Sequence, residues 1–176
     1  MKYNKIAGLD KNISKLIIGN DNQTNYDEAS KLWDYWIEVG GNAFDNAHIY
    51  GNGLMEKLLG KWQRSRNNLK NIILIAKGAH TPNCNPDSLS SQLEESLERL
   101  QSNNVDIYIM HRDNKEIPVG EFIDVLNDRK SQNKFKIFGA SNWSLERFIE
   151  ANVWAKKNNK SGFSILNNNL SLCKMI

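Results

Sequence analysis

Ile72-Ile73-Leu74-Ile75-Ala76-Lys77 is a short, almost wholly apolar run that stops on a charge. A run of that length, rich in β-branched residues and without alternation, reads as a strand covered on both faces, as in a parallel sheet. Asn85-Pro86-Asp87 then opens a helical stretch to about Leu100, with Pro86 suited to the first helical position. Leu89, Leu93, Leu97 and Leu100 fall on one of its faces. The next apolar run, Val105 to Met110, ends on His111. This strand–helix–strand unit sets the grammar for the rest of the chain.

The same alternation extends in both directions. Upstream, Leu16-Ile17-Ile18 is a strand stopped by Gly19. A helix follows from about Tyr26 to Val39, with Ala29, Leu32, Trp33, Trp36 and Ile37 sharing a face. Asn25 and Glu28 form a capping pair at its start, and Gly40-Gly41 ends it. Asn42-Ala43-Phe44 is the second strand, and a helix from about Leu54 to Trp62 comes after the loop Asp45 to Gly53. Downstream come a helix from about Val119 to Ser131 and a strand from Phe135 to Phe138. Ser144 caps a helix from about Leu145 to Lys157, and a last strand runs from Phe163 to Leu166. Repeats of roughly 30 residues are the size of one strand–helix unit. An open doubly wound sheet and an eight-stranded barrel are both consistent with this pattern. A barrel typically needs about 250 residues, so a barrel would be cut off here, with five units complete and a sixth begun. An open sheet complete at this length would leave the apolar faces of its edge strands exposed.

Composition narrows the class. The chain has 176 residues, 23 basic and 20 acidic side chains and a net charge of +3, too small an excess to suggest nucleic acid. That length is expected to form a single domain spanning residues 1–176. Asparagine is abundant, with 25 copies. The longest apolar run is far too short to span a bilayer, and the amino terminus has no signal-peptide pattern. Cys84 and Cys173 make neither a disulfide framework nor a zinc cluster, which leads us to expect a reducing cytoplasm.

Two short motifs fail on their spacing. Gly51-Asn52-Gly53 opens like a dinucleotide fingerprint, but Glu56 stands where the third glycine belongs. His111-Arg112-Asp113 has the form of a kinase catalytic loop, but Pro118 occupies the place of the metal-binding asparagine. His48, His80 and His111 are not spaced as ligands on one element, so no metal site is expected.

Polar residues instead collect where the apolar strands end: Asp45, Lys77, His111 and the pair Ser141-Asn142. The carboxyl ends of parallel strands face one crevice, so these side chains converge from distant parts of the chain. Tyr50 follows Asp45 on a loop made permissive by Gly51 and Gly53. A phenol gives up its proton reluctantly at neutral pH, and an adjacent ammonium such as Lys77 favours the phenolate left behind. Asp45 pairs with that lysine, and His111 donates to the oxygen of a bound carbonyl. The set is a proton donor and an oxyanion site for carbonyl reduction.

The stretch Gly41-Asn42-Ala43-Phe44-Asp45-Asn46-Ala47-His48-Ile49-Tyr50-Gly51, followed by Glu56 and Gly60, resembles the first signature of the aldo-keto reductase family. Ile75-Ala76-Lys77, Asp106 to His111 and Gly139-Ala140-Ser141-Asn142-Trp143 resemble its next three, in order. The resemblance covers the chain from about Ser14. It implies an α/β fold, the (β/α)8 TIM barrel, present here as about six strands and five helices. It implies reduction of an aldehyde or ketone by hydride transfer from NADPH, with NADH possible, and a small-molecule carbonyl as substrate.

By the same resemblance Tyr50 is the general acid, and Asp45, Lys77 and His111 complete the catalytic tetrad. Gly19, Ser141, Asn142 and Asn167 belong to the cofactor side. Asn46 departs from the threonine usual in the signature, and Asn167 from a glutamine, although Asn167-Asn168-Asn169-Leu170-Ser171-Leu172 keeps the shape of that segment. Strands seven and eight of such a barrel, with the aromatic that stacks on nicotinamide, are expected beyond Ile176, so the 176 residues alone are expected to be inactive. The alternative reading is a non-catalytic barrel used as a binding module.

Overall fold

The computed structural model describes residues 1–169; Leu170, Ser171, Leu172 and Cys173 lie outside the described residues. Six parallel strands, β3 (Ile18–Gly19), β4 (Ala43–Asp45), β5 (Ile73–Gly78), β6 (Val105–Met110), β7 (Phe135–Ser141) and β8 (Ile165–Asn167), pair strictly in chain order. Five helices alternate with them: α1 (Tyr26–Glu38), α2 (Leu54–Arg66), α3 (Pro86–Arg99), α4 (Val119–Ser131) and α5 (Leu145–Lys157). The sheet curls into part of a barrel, with the helices outside.

Local chemistry sets the helix starts. The Asn25 half of the expected capping pair forms: its Oδ1 accepts from the backbone N–H groups of Asp27 and Glu28 at 2.9 and 3.2 Å. Asn85 caps α3 through Ser88 N–H at 2.8 Å, with Pro86 at the first position, and Ser144 caps α5 through Arg147 N–H at 3.2 Å. Each supplies an acceptor to a helix N–H that has no partner within its own helix.

Side chains along each strand divide between two layers. Phe44, Leu74, Ala76, Tyr108, Met110, Phe138 and Ala140 face outward into the main core, against Trp33, Trp62, Leu93, Phe122 and Ala151 of the helices. Ala43, Ile73, Ile75, Ile107, Ile109 and Ile137 face inward. Beneath them lies a feature absent from the sequence reading, a short antiparallel hairpin of β1 (Tyr3–Asn4) and β2 (Ile13–Ser14). Its Leu9 and Ile13 plug the inner layer from the amino-terminal end of the strands. Gly8, at φ +88°, allows that approach, since a Cβ there would stand 2.6 Å from Ile137. Lys11 fastens the plug to Asp106 at 2.9 Å.

Two expectations are corrected. Leu16 and Ile17 are 65% and 45% exposed, so the first barrel strand is Ile18–Gly19; the two apolar residues belong to the connection from the hairpin. On α1, Ala29 and Trp33 are buried and Trp36 is partly so, while Leu32 and Ile37 lie on the exposed side. Beyond these, β7 continues through Gly139-Ala140-Ser141, α2 runs on to Arg66, and the last strand is Ile165–Asn167 rather than Phe163 to Leu166.

Register places the polar strand ends. Gly19 pairs with Asp45, Asp45 with Ile75, Ile75 with Ile107, and Ile107 with Ile137, forming one inward-facing row. Lys77, Ile109, Gly139 and Ile165 form the next row up, and Ser141 pairs with Asn167 above that. The rows climb across the sheet because tilted strands of a barrel are staggered. The boundary from isoleucine to polar side chain is therefore a diagonal, starting low at Asp45 and ending high at Ser141.

Candidate active site

Above that diagonal lies a cleft of about 440 Å³. Asp45, Tyr50, Lys77 and His111 line it on the side of β4 to β6, and Ser141, Asn142 and Asn167 on the side of β7 and β8. Gly19 is level with Asp45 on β3 but is not among the lining residues. All the other residues singled out from the sequence are brought together.

The loop that carries Tyr50 is fixed by its neighbour strand. Asn46 N–H donates to Ile75 O and His48 N–H to Lys77 O, both at 2.9 Å. The chain then folds into a 3-10 turn at Tyr50–Gly53, where Gly51, Asn52 and Gly53 all have positive φ. Two of the three are glycine, which adopts that conformation without Cβ strain. Asn46, in place of threonine, still serves as a turn former: its Oδ1 accepts from Ala47 N–H at 2.9 Å.

Lys77 is almost fully buried, its side chain 4% exposed, and its Nζ donates to Asp45 Oδ2 at 2.5 Å. The same Nζ lies 5.1 Å from the centre of the Tyr50 ring. Tyr50 meets His111 edge to face at 5.7 Å between ring centres. Burial, with Lys77, His80 and Arg112 as positive or potentially positive neighbours, pushes His111 down to about 3. The imidazole is therefore neutral at physiological pH, and a neutral imidazole offers one N–H donor.

On the opposite side, Asn142 has φ +60° just past the end of β7. Its Nδ2 donates to Ser141 Oγ at 2.9 Å and to His111 O at 3.2 Å, tying the two sides of the cleft together. That leaves its Oδ1 as an acceptor. Asn142 N–H reaches Asn167 O at 3.4 Å, and Asn168 Nδ2 donates to Trp143 O at 2.9 Å.

Sequence reasoning missed some of the lining. Arg112 also faces the cleft, and it lay inside the His111-Arg112-Asp113 triplet set aside as a failed motif. His80 lies outside that lining but packs against His111. Ala79, at φ +58°, turns the chain sharply after β5 and stacks the His80 ring edge-on against His111 at 4.7 Å. A left-handed alanine carries no sequence signal. Among the described residues, no helix is long and apolar enough to cross a membrane.

Comparison with known proteins bears on the family and the fold. The model of the Aldo/keto reductase family matches residues 15–176. The chain is 26% identical to Aldo-keto reductase AFTS1 of Alternaria alternata, over 90% of this chain and 56% of that protein. It is 28% identical to a probable voltage-gated potassium channel subunit beta of Oryza sativa, over 90% of this chain and 51% of that one. It thus spans about half the length of these curated relatives. The crystal structure of the thermostable aldo-keto reductase Tm1743 superposes with a TM-score of 0.81 at 24% identity, covering 97% of this chain and 63% of that chain, which identifies the fold. The family match over nearly the whole chain, the (β/α)8-type fold and the four ordered motifs lead to one statement: the chain belongs to the aldo-keto reductase family.

Proposed function

We propose that these residues form the acid–base half of an NAD(P)H-dependent reductase acting on a small aldehyde or ketone. The observation that carries this reading is the meeting of Tyr50 with a buried, Asp45-paired Lys77 and a neutral His111 in one cleft. Tyr50 gives its proton to the carbonyl oxygen as that oxygen gains negative charge. Lys77 stabilises the phenolate left on Tyr50, and Asp45 holds the ammonium in place. His111, neutral, donates an N–H to the same oxygen and orients the carbonyl.

Ser141, Asn142 and Asn167, on the β7–β8 side, would hold a nicotinamide, which would supply a hydride there. The residues present fit such a group. A carboxamide offers two N–H donors and one acceptor, and Ser141, the free Oδ1 of Asn142 and the Asn167 side chain offer both complements. By family, NADPH is the cofactor proposed, with NADH as the other candidate. A surface used only to bind a protein partner has no need of a buried ammonium beside a phenol, so the binding-module reading has less support.

Tyr50→Phe tests the reading. In the full-length protein it keeps the ring and removes the proton, so aldehyde reduction should fall by about 10²–10⁴-fold, the usual range for a general acid. NADPH affinity, read by fluorescence titration, should be unchanged. Steady-state turnover within a few-fold of the parent would remove Tyr50 from this role.

A further inference from the structure

We infer that Arg99, in the last turn of α3, is a positioning residue for Tyr50, its guanidinium clamping the loop that carries the phenol. The inference rests on Tyr50 being the proton donor. Arg99 lies outside the cleft of the tetrad, yet its side chain is only 18% exposed. Its Nη1 donates to His48 O at 3.1 Å and to Glu56 Oε2 at 3.3 Å, and its Nη2 to Glu95 Oε2 at 2.9 Å. His48 Nε2 meets that same Glu95 oxygen at 2.8 Å. Gly53 lies against the guanidinium so closely that a Cβ there would stand 2.6 Å from Arg99 Cζ. The segment between His48 and Gly53 therefore touches Arg99 at both ends, and Tyr50 lies between them.

His48 is held from two directions. Its N–H is fixed by Lys77 O at 2.9 Å and its C=O by Arg99. Lys77 thus sets the loop from the sheet side while its own ammonium faces Tyr50. Arg99 sets it from the helix side. The loop's own turn is closed by Tyr50 N–H to Ala47 O at 3.0 Å and Asn52 N–H to Ile49 O at 3.1 Å, and Arg99 adds the support that ties this turn to α3. Glu56 explains why an arginine does this work. Its carboxyl group is wholly buried in α2, and Arg99 is its ion-pair partner. A guanidinium can serve two carboxylates and a carbonyl at once through its planar fork; an ammonium is a point charge and cannot reproduce that geometry.

Displacing a reacting group by about 1 Å can cost roughly 100-fold in rate, because proximity rather than binding is lost. The test uses the full-length protein with Arg99→Ala, Arg99→Lys, the double variant Glu56→Gln/Arg99→Met, and Tyr50→Phe as reference. We expect Arg99→Ala to lower kcat by about 100-fold and to leave KM for NADPH within about twofold, a split that places the loss in the reacting geometry. Arg99→Lys should recover less than about a tenth of the lost rate. Added methylguanidinium should restore part of kcat to Arg99→Ala, and methylammonium should not. Amide hydrogen exchange over residues 46–53 should quicken in Arg99→Ala, a readout independent of turnover. Should Arg99→Ala fail to fold, the double variant leaves no unbalanced buried carboxylate and should show the same kcat loss. A folded Arg99→Ala or double variant that keeps parental kcat and loop exchange while Tyr50→Phe is inactive would overturn the clamp alone. An active Tyr50→Phe would overturn the reading beneath it, and the clamp with it.

Discussion

His111 shows how burial at a single residue becomes both chemistry and stability. The unfolded chain protonates this imidazole near its ordinary value of 6.5, whereas burial beside Lys77 holds the folded value at about 3. Between those values the folded state binds fewer protons, so stability falls as pH drops through that window and is flat above it. The slope from this residue is at most about 1.4 kcal/mol per pH unit. Denaturant unfolding of the parent and of His111→Gln from pH 7 to pH 5 checks it: the variant should lack that share of the slope, and parallel curves would contradict the argument. The Lys77–Asp45 pair gives a second prediction. Lys77 is 4% exposed and Asp45 is 22% exposed, so the two partners are not equivalent. Asp45→Ala leaves a buried ammonium unpaired and should cost about 3–5 kcal/mol. Lys77→Met keeps the methylene packing and leaves a partly exposed carboxylate whose Oδ1 is buried, so it should cost less than Asp45→Ala while abolishing turnover. Equal, parental unfolding free energies for both would mean the pair is structurally idle. These residues were legible in the sequence because each ends an apolar run, and strand ends converge. Arg99 was not, since its partners His48 and Glu56 are distant in sequence and no periodicity links them.

At the scale of elements, the sequence spoke clearly wherever burial imposes a period. The caps of α3 and α5 place them within a residue of their observed bounds, and α4 matches its expected range Val119–Ser131. It was silent on the hairpin β1–β2, whose strands have two residues each, too few for any period to show. Leu16-Ile17 misled because two apolar residues beside a true strand look like its beginning, and only the covering layer distinguishes them. The packing of α2 on α3 was also invisible. Gly60 permits it: a Cβ there would stand 2.3 Å from Arg99 O and 2.7 Å from the Leu100 carbonyl carbon. Backbone cannot give way as a flexible side chain does, so Gly60→Ala should destabilise by about 1–3 kcal/mol through overpacking. It should also loosen the loop of Tyr50, because the helix end displaced is the one that bears Arg99. A thermal melt compared with the parent checks the first part, and an unchanged melting temperature would show that α3 shifts freely.

For the whole molecule, alternation of strands and helices gave the class, and the ordered motifs resolved barrel from open sheet. The stagger of the strands came only from the structure. Register depends on which residues pair across strands, and no single strand carries that information. It is the stagger that puts Asp45 one inward place below Lys77 and brings Ser141 and Asn167 level across the far side of the cleft. On the function proposed above, these strand ends form one reductase site in which Tyr50 supplies the proton. The most direct test follows deuterium in the full-length protein, given NADPH labelled at the transferable position and a simple aromatic aldehyde. The parent should yield an alcohol with deuterium on the carbinol carbon, and Tyr50→Phe, with NADPH affinity intact, should yield almost none. An unlabelled product from the parent, or parental label transfer by Tyr50→Phe, would contradict the claim.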